Sequence, residues 1–274
     1  MKNTKTVHIR KQTAAGNTAY KEDRIIAEAP LQIIIAYNYK GERRKEILSV
    51  TMRTPGDDFN LAAGFLFNEA IISNPSDILL MRYISDSKSS LLVELNNSTE
   101  INIDEARRNF ITNSACGFCG RVDNNTQKIS FIPAENNLKI TTATLYALPA
   151  LFQSSQNLFS ETGGSHAVAL VNATGELMQI SEDVGRHNAM DKLVGLLLKK
   201  SALPLNNHIV LFSGRLSYEL VQKSLAAGVC VICSIGAPTS LAIELAEDYG
   251  ITVIGFLKNS SFNIYCGAER IIQL

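Results

Sequence analysis

Residues 209–257 have the sequence IVLFSGRLSYELVQKSLAAGVCVICSIGAPTSLAIELAEDYGITVIGFL, in which short apolar runs alternate with amphipathic stretches. The apolar runs, at 209–212, 229–233 and 251–257, have the length of buried strands. Each intervening stretch has helical spacing and is followed by Gly228 or Gly250, and glycine is common just past a helix C-terminus. Strands that alternate with helices in this way predict a parallel sheet covered by helices, and therefore an α/β domain.

The same domain extends upstream of this segment. Residues 167–171 and 176–180 are apolar runs around a turn-forming segment and predict a hairpin. A helix with one apolar face follows, formed by Met190, Leu193, Val194 and Leu197. A further helix is predicted at 142–154, interrupted or kinked by Pro149. We expect the whole α/β domain to span residues 129–274.

A smaller α+β unit is expected at residues 29–112. Its first two strands are predicted to form a hairpin with a longer loop around Lys40-Gly41. A helix is predicted to open at Asp57-Asp58, where acidic side chains favour the first turn. The predicted strands of this unit lie at 31–37, 46–52, 79–84 and 91–95. Residues 1–28 show little periodicity and predict a flexible, irregular arm.

The composition indicates a globular protein and excludes several classes. The 274 residues are 46% hydrophobic and 19% charged, and the formal net charge of zero gives no general surface for nucleic acid. The N-terminus is polar and basic, unlike a signal peptide, and no apolar run reaches the roughly 18 residues that span a membrane. Five cysteines, an odd number, argue against a disulfide framework. We therefore expect a cytoplasmic protein with reduced thiols.

A Cys-x-x-Cys motif in residues 113–128 is the strongest candidate for chemistry. Cys116 and Cys119 are each followed by glycine, in a polar segment without a strand or helix pattern, and Arg121 could favour the thiolate. The motif alone is compatible with half of a zinc site, a dithiol redox pair, a sulfur carrier or chance. A second such motif, Cys230 to Cys233, lies in an apolar run and is interpreted as core.

Four loops of the α/β domain have the composition of an anion-binding site. They adjoin predicted strand ends or helix starts, where exposed backbone N–H groups favour anions. Arginine can grip a phosphate with two hydrogen bonds. The loops therefore predict a pocket for a phosphorylated or nucleotide-bearing ligand, although ordinary β–α turns use the same residues. The candidate residues are Gly163, Gly164, His166, Arg186, His187, Ser213, Gly214, Arg215 and Gly236.

Zinc chemistry fits these loops poorly. Zinc deaminases combine a His-x-Glu motif with Pro-Cys-x-x-Cys. The corresponding positions here are His187-Asn188-Ala189 and the segment 213–217, which lack the glutamate and both cysteines. A structural zinc held by the Cys116 and Cys119 thiolates would need two more ligands, and no second suitable pair lies in a loop. A zinc hydrolase is therefore the least favoured alternative.

Taken together, these motifs resemble the FdhD family, the formate dehydrogenase accessory sulfurtransferases. The matching segments run in order from about residue 28 to 272. They are SVTMRTPGDD (49–58) with GFL (64–66), ACGFCG (115–120), TGGSHA (162–167), EDVGRHNA (182–189), SGR (213–215), and GFLK (255–258) ahead of FNIY (262–265).

The resemblance implies a cytidine-deaminase-like C-terminal domain without the deaminase zinc, beside the smaller N-terminal domain. It also implies a sulfur carrier that receives persulfide sulfur from a cysteine desulfurase. The sulfur would pass to the bis-guanylate molybdenum cofactor before that cofactor enters formate dehydrogenase. By the motif, Cys116 is the persulfide carrier and Cys119 its helper or resolving thiol.

The family's cofactor contact falls on the segment after the last predicted strand, namely Phe256, Leu257, Lys258, Asn259, Ser260 and Ser261. We expect the glycine and arginine loops to suit the guanosine diphosphate ends of the cofactor, so that a guanine nucleotide mimics it. The family also implies a homodimer with the cofactor near the subunit interface. The alternative to a sulfurtransferase is a non-catalytic chaperone that binds the molybdenum cofactor, its thiols merely holding metal or partner.

Overall fold

The computed structural model describes residues 2–16, 18–97 and 138–273. Its first two strands, β1 (Thr4–Gln12) and β2 (Thr18–Ile26), pair antiparallel along their whole length. The prediction of an irregular arm is therefore wrong for these residues. Most side chains of the hairpin are exposed, and only alternate ones such as Val7 and Ile9 are half-buried. The alternation of Val7 and Ile9 among polar neighbours is too short to predict a strand.

The smaller unit contains the four strands and the helix that the sequence predicts. Its elements are β3 (Ala29–Tyr39), β4 (Glu42–Arg53), α1 (Asp58–Asn68), a 3-10 turn (Pro75–Asp77), β5 (Ile78–Tyr83) and β6 (Ser90–Leu95). The sheet order is β4-β3-β6-β5, and one sheet face packs against α1. The longer hairpin loop was a wrong prediction, because Tyr39 pairs with Glu42 and only Lys40 and Gly41 turn the chain. Both have positive φ, 51° and 80°, as a tight hairpin turn requires.

The larger unit begins with β7 (Ile140–Thr141) and two helices, α2 (Thr142–Ser155) and α3 (Asn157–Thr162). The Thr141 hydroxyl caps α2 by accepting from the N–H of Thr144 at 3.1 Å. The helix continues through Pro149, so the predicted interruption does not occur. The hairpin of β8 (His166–Asn172) and β9 (Leu177–Asp183) follows as predicted, and then α4 (Arg186–Lys199).

The remaining elements complete the predicted strand–helix alternation. They are β10 (His208–Phe212), α5 (Tyr218–Ala226), β11 (Val231–Ser234), α6 (Ser240–Asp248), β12 (Thr252–Gly255), β13 (Asn263–Cys266), a 3-10 turn (Ala268–Arg270) and β14 (Ile271–Ile272). The six-stranded sheet has the order β13-β12-β11-β10-β8-β9. Strands β10, β11 and β12 are parallel, whereas β8, β9 and β13 each run antiparallel to a neighbour.

This topology brings several chain ends to one edge of the sheet. The carboxyl ends of β10, β11 and β12 lie there because the three strands are parallel. The amino end of β8 lies beside them, because β8 is antiparallel to β10. The carboxyl end of β9 joins them, with His166 opposite Asp183. The chain segments at these ends therefore share one surface, as expected for ligand sites in open α/β sheets.

Helices cover both faces of this sheet. Side chains of α4, α5 and α6 pack on one face, and those of α2 pack on the other. Cys230 and Cys233 are buried in the core on the α2 side, which confirms their interpretation as core residues. Burial raises the pKa of the Cys233 thiol far above its ordinary value. The mixed sheet with helices on both faces, next to an α+β unit, is the fold class that the sequence indicates.

The two units are joined where α1 crosses α4. A Cβ atom at Gly64 would overlap the carbonyl oxygen of Asp191, and one at Gly195 would overlap that of Asn60. Only glycine permits this close approach of the two helix backbones. A buried ion pair lies beside the crossing, where Lys223 Nζ is 2.7 Å from a carboxylate oxygen of Asp191. The units therefore meet through backbone contact and charge pairing as well as apolar packing.

Candidate functional site

The sheet edge described above collects most of the candidate residues from three parallel strands. Ser213, Gly214 and Arg215 follow β10, Gly236 follows β11, and residues 256–261 follow β12. His166 is the first residue of β8, and Arg186 and His187 begin α4. We call this set of loops and helix start the cleft.

Backbone hydrogen bonds hold the loops of the cleft against one another. The Ser234 hydroxyl donates to the carbonyl of Gly214 at 2.5 Å and accepts from the N–H of Gly236 at 3.0 Å. The N–H of Phe256 donates to the carbonyl of Gly236 at 3.0 Å. A Cβ at Gly236 would lie 3.0 Å from the backbone nitrogen of Arg215, so a side chain there would push the loops apart. Glycine is needed here for close packing of the loops.

The segment after β12 presents an aromatic side chain in an unusual backbone conformation. Phe256 has φ of 50° and is 44% exposed. A left-handed conformation costs a residue with a Cβ about 1–2 kcal/mol, and such strain is concentrated at functional sites. Leu257 next to it is buried in the core, so its side chain faces away from any ligand in the cleft. Residues 258–261 are exposed. They form a turn that is closed by a 2.8 Å hydrogen bond from the N–H of Lys258 to the carbonyl of Ser261.

His166 is seated directly against the loop after β10. The Ser213 hydroxyl accepts from the N–H of Ala167 at 2.9 Å and lies 3.4 Å from Nδ1 of His166. A Cβ at Gly214 would lie 3.1 Å from the His166 ring. The absence of a side chain at Gly214 therefore leaves room for the imidazole in the cleft.

The Arg186 guanidinium makes the surroundings of His166 and His187 electropositive. Burial lowers the pKa of His166, Arg186 lowers it further, and Asp183 opposes them. Burial is also the main cause that lowers the pKa of His187 to about 3, with contributions from Lys223, Arg186 and His166. Both imidazoles are therefore neutral at physiological pH, and the fixed charge beside them is the Arg186 guanidinium.

The Arg186 guanidinium has an unused hydrogen-bond donor. Its Nε atom is buried and has no hydrogen-bond partner within the described residues. A buried donor left unpaired costs about 1–3 kcal/mol, and unpaired groups of this kind are typical of ligand sites. An anionic oxygen in the cleft would satisfy this donor. Arg215 is exposed at the same edge and offers a second guanidinium.

Buried groups outside the predicted set hold the loop between β9 and α4. The Asp183 carboxylate accepts from the N–H of Gly185 at 2.9 Å and from that of Thr54 at 3.0 Å, and it lies 2.6 Å from Lys192 Nζ. Asn188 donates to Asp183 at 3.1 Å and to the carbonyl of Met52 at 2.8 Å. Asp183 and Asn188 lie within the motif at 182–189, but the sequence did not indicate a role for them. Their partners lie about 130 residues away, at the end of β4 and on the β4–α1 connection, and no sequence signal links them.

Two predicted residues, Gly163 and Gly164, have described contacts away from the cleft. Gly163 ends α3 with φ of 67°, and its N–H donates to the carbonyl of Phe159 at 2.7 Å. A Cβ at Gly164 would lie 2.8 Å from the Ile26 side chain of the hairpin. Within the described part of the chain, the contacts that favour glycine at these two positions are structural and do not involve Arg186 or His166.

Cys116 and Cys119, the predicted sulfur-carrying pair, lie outside the described residues. The described chain reaches Asn97, two residues beyond β6, and resumes at Leu138 before β7. Among residues 2–16, 18–97 and 138–273, no three His, Cys, Asp or Glu side chains come together in a potential metal site.

A cavity of about 400 Å³ lies on the other side of the loop between β9 and α4. It is lined by the N-terminal hairpin, the β4–α1 connection and the start of α3, with Glu182 and Lys192 at its inner wall. Lys192 is already bound to Asp183, and the Arg24 guanidinium lies 3.2 Å from Glu161. None of the predicted site residues lines this cavity, so it is separate from the cleft.

Comparisons with known proteins agree over nearly the whole chain. A protein from Saccharolobus solfataricus named sulfur carrier protein FdhD is 42% identical over 254 residues, covering 92% of this chain and 93% of the relative. Relatives with the same name from Streptomyces coelicolor and Mycobacterium tuberculosis are 39% and 34% identical, over 93% and 97% of this chain and 92% and 98% of theirs.

A solved structure shows the same fold. A chain from Desulfotalea psychrophila, assigned as a formate dehydrogenase accessory protein, superposes with a TM-score of 0.74 at 23% identity and covers 99% of this chain and 100% of its own. No helix in the described part of the chain is long and apolar enough to cross a membrane. The family profile of FdhD/NarQ matches residues 26–272. The chain therefore belongs to the FdhD/NarQ family.

Proposed function

We propose that this protein is a sulfur carrier for the maturation of formate dehydrogenase. In this proposal it accepts persulfide sulfur from a cysteine desulfurase and transfers it to the bis-guanylate molybdenum cofactor before insertion. The observation that carries the proposal is the match, at 34–42% identity over more than nine-tenths of the chain, to proteins named sulfur carrier protein FdhD. The electropositive cleft supports the cofactor half of the proposal.

Sulfur loading on Cys116 is a thiol-exchange reaction. The Cys116 thiolate attacks the terminal sulfur of the desulfurase persulfide, which forms the Cys116 persulfide and releases the desulfurase cysteine as a thiolate. Cys119 is placed three residues away and acts as the resolving thiol. Its attack on the inner sulfur of the persulfide releases hydrosulfide to the acceptor and leaves a Cys116–Cys119 disulfide. A dithiol reductant must then restore the two thiols.

The cleft suits the guanosine diphosphate end of the cofactor, which is the substrate that receives sulfur. The Arg186 Nε donor is buried and has no partner in the part of the chain that the structure describes, and a diphosphate oxygen would satisfy it. The Arg215 guanidinium can grip a second phosphate oxygen. Gly214 and Gly236 keep the loop backbones free of side chains, and the exposed ring of Phe256 borders them. We propose that residues 256 and 258–261 contact the same ligand.

Peptide mapping of transferred sulfur tests the carrier proposal. Reduced protein is incubated with a cysteine desulfurase and radiolabelled cysteine, then digested without reductant. We expect label on the peptide that contains Cys116, and we expect reductant to remove it. Cys230→Ala should keep the label because Cys230 is buried in the core, whereas Cys116→Ala should lose it. Full labelling of Cys116→Ala would overturn the assignment of this residue.

The second candidate is a non-catalytic chaperone for the molybdenum cofactor. The specific observation in its favour is that Arg186, whose buried Nε donor has no partner within the described residues, can contact an anion without any thiol chemistry. Under this alternative, guanosine diphosphate binds normally while no sulfur label appears on Cys116. A homodimer with the cofactor near its interface belongs to the main proposal, and light scattering of the purified protein tests it.

A further inference from the structure

His187 has one ring nitrogen next to protein groups, and its other ring nitrogen has no hydrogen bond to any described residue. Its Nε2 atom lies 3.4 Å from the Ser217 hydroxyl and 3.4 Å from a carboxylate oxygen of Glu219. Nδ1 makes no hydrogen bond within the described residues. The two separations at Nε2 exceed the usual ~2.7–3.2 Å, as is common in ligand-free sites whose hydrogen bonds tighten on binding.

The charge state of His187 decides what its two nitrogens can do. The charged groups around it are Arg186 on its own helix, His166 on β8, and Lys223 and Glu219 on α5. Glu219 is the anion of this set, and burial with the cations outweighs it, so the pKa of His187 falls to about 3. A neutral imidazole has one N–H and one lone pair, and its partners select which nitrogen has which.

Glu219 favours the tautomer that has the proton on Nε2, and the Ser217 hydroxyl is compatible with it because a hydroxyl can accept a hydrogen bond. A carboxylate can only accept a hydrogen bond, so the nitrogen that faces it must be the donor. Nδ1 then has the lone pair and can only accept. The cleft would therefore combine an anion-binding guanidinium at Arg186 with a neutral acceptor at His187.

We propose that Glu219 is a positioning residue that fixes His187 as a hydrogen-bond acceptor for an N–H or O–H group of the bound ligand. The proposal rests on the proposed function, because the ligand is the guanosine diphosphate end of the cofactor. Guanosine supplies such donors on its base and its ribose. A protonated histidine or the opposite tautomer would reject them, so Glu219 contributes to ligand selection without touching the ligand.

Nitrogen NMR of the imidazole rings tests the positioning role directly. The chain has four histidines, so ring signals can be assigned with His187→Gln and compared between variants. We expect His187 in the wild type to be neutral with its proton on Nε2. Glu219→Gln keeps the shape but loses the charge, and we expect a mixture of tautomers. A charged ring, a proton on Nδ1, or an unchanged tautomer in Glu219→Gln would overturn the proposal.

Guanosine diphosphate binding supplies the second measurement. We expect Glu219→Gln to weaken binding by about two- to tenfold, because only the fraction of the protein in the accepting tautomer binds with full affinity. We also expect the ligand to shift the Nδ1 signal of His187. Glu247→Gln, an exposed residue at the far end of α6, is the matched control and should bind as the wild type does.

The two measurements separate this proposal from the proposed function. If guanosine diphosphate does not bind the wild type, the assignment of the cleft as the cofactor site fails, while the tautomer measurement still judges Glu219. If the ligand binds but leaves the Nδ1 signal and the Glu219→Gln affinity unchanged, the positioning role fails and the proposed function stands.

Discussion

Replacing Asp183 by asparagine tests the buried ion pair that anchors the loop before α4. The Asp183 carboxylate is fully buried, accepts from two backbone N–H groups and lies 2.6 Å from Lys192 Nζ, which is itself buried. Asparagine would leave the Lys192 ammonium without its counter-ion. Removing one partner of a buried pair costs about 3–5 kcal/mol, a large part of the ~5–15 kcal/mol that stabilises a typical domain.

Urea unfolding of four proteins measures this effect, namely wild type, Asp183→Asn, Lys192→Met and the double variant. We expect each single variant to lose about 3–5 kcal/mol of unfolding free energy. The double variant should lose clearly less than the sum, because it contains no unpaired buried charge. Asp248→Asn, an exposed control, should change stability by less than about 0.5 kcal/mol. A loss under about 1 kcal/mol in Asp183→Asn, or strict additivity in the double variant, would show that Asp183 and Lys192 do not compensate each other's buried charge.

Three further predictions concern the sulfur carrier, the helix crossing and the pH dependence of stability. We expect Cys116→Ala to abolish formate dehydrogenase activity in cells, while the unfolding midpoint of the purified variant is unchanged. We expect Cys119→Ala to reduce that activity less. Normal activity of Cys116→Ala would contradict the carrier role. We expect Gly195→Ala to lower the unfolding free energy by about 1–3 kcal/mol in urea, because its Cβ would meet the backbone of α1; unchanged stability would show that the helices can separate freely. The pKa of His187 is lowered to about 3 by burial, so the unfolded chain binds the proton more readily below about pH 6.5. The contribution of His187 to the unfolding free energy should therefore be complete above that pH and fall by about 1.4 kcal/mol per pH unit below it. Urea unfolding at pH 6.5 and 5.5 measures this fall, which should be smaller in His187→Gln than in the wild type. The exposed control His8→Gln should behave as the wild type does.

Local patterns predicted most elements of both units correctly. The strands and helices of residues 209–257 lie within a few residues of their predicted bounds, because each is marked by its own apolar spacing and a glycine at the helix end. The same holds for the hairpin of β8 and β9 and for the strands of the smaller unit. The N-terminal hairpin escaped prediction because most of its side chains are exposed and its hydrophobic alternation is limited to a few residues. The β13 strand was also missed, since its four residues, Asn263–Cys266, have only a short apolar signal.

The candidate site was predicted as a set of residues but without its arrangement. Contiguous motifs identified Arg186, His187 and the loop at Ser213, since each motif is complete within a few residues. Which of them meet depends on strand direction, and the antiparallel placement of β8 beside β10 brings His166 to Ser213. The sequence did not indicate Glu219, because its proposed role depends on a contact with His187, which lies 32 positions earlier.

Sequence alone established the local elements of this protein and, through ordered motifs, its family, because both kinds of information are contained in short contiguous segments. Tertiary structure decided the electrostatics of the cleft. Burial lowered the pKa of both imidazoles, left the Nε donor of Arg186 without a partner among the described residues, and paired Asp183 with Lys192 beside a backbone N–H from the other unit. These properties arise because the fold brings groups from different segments together and removes water from around them. A local sequence pattern does not show which groups will be brought together.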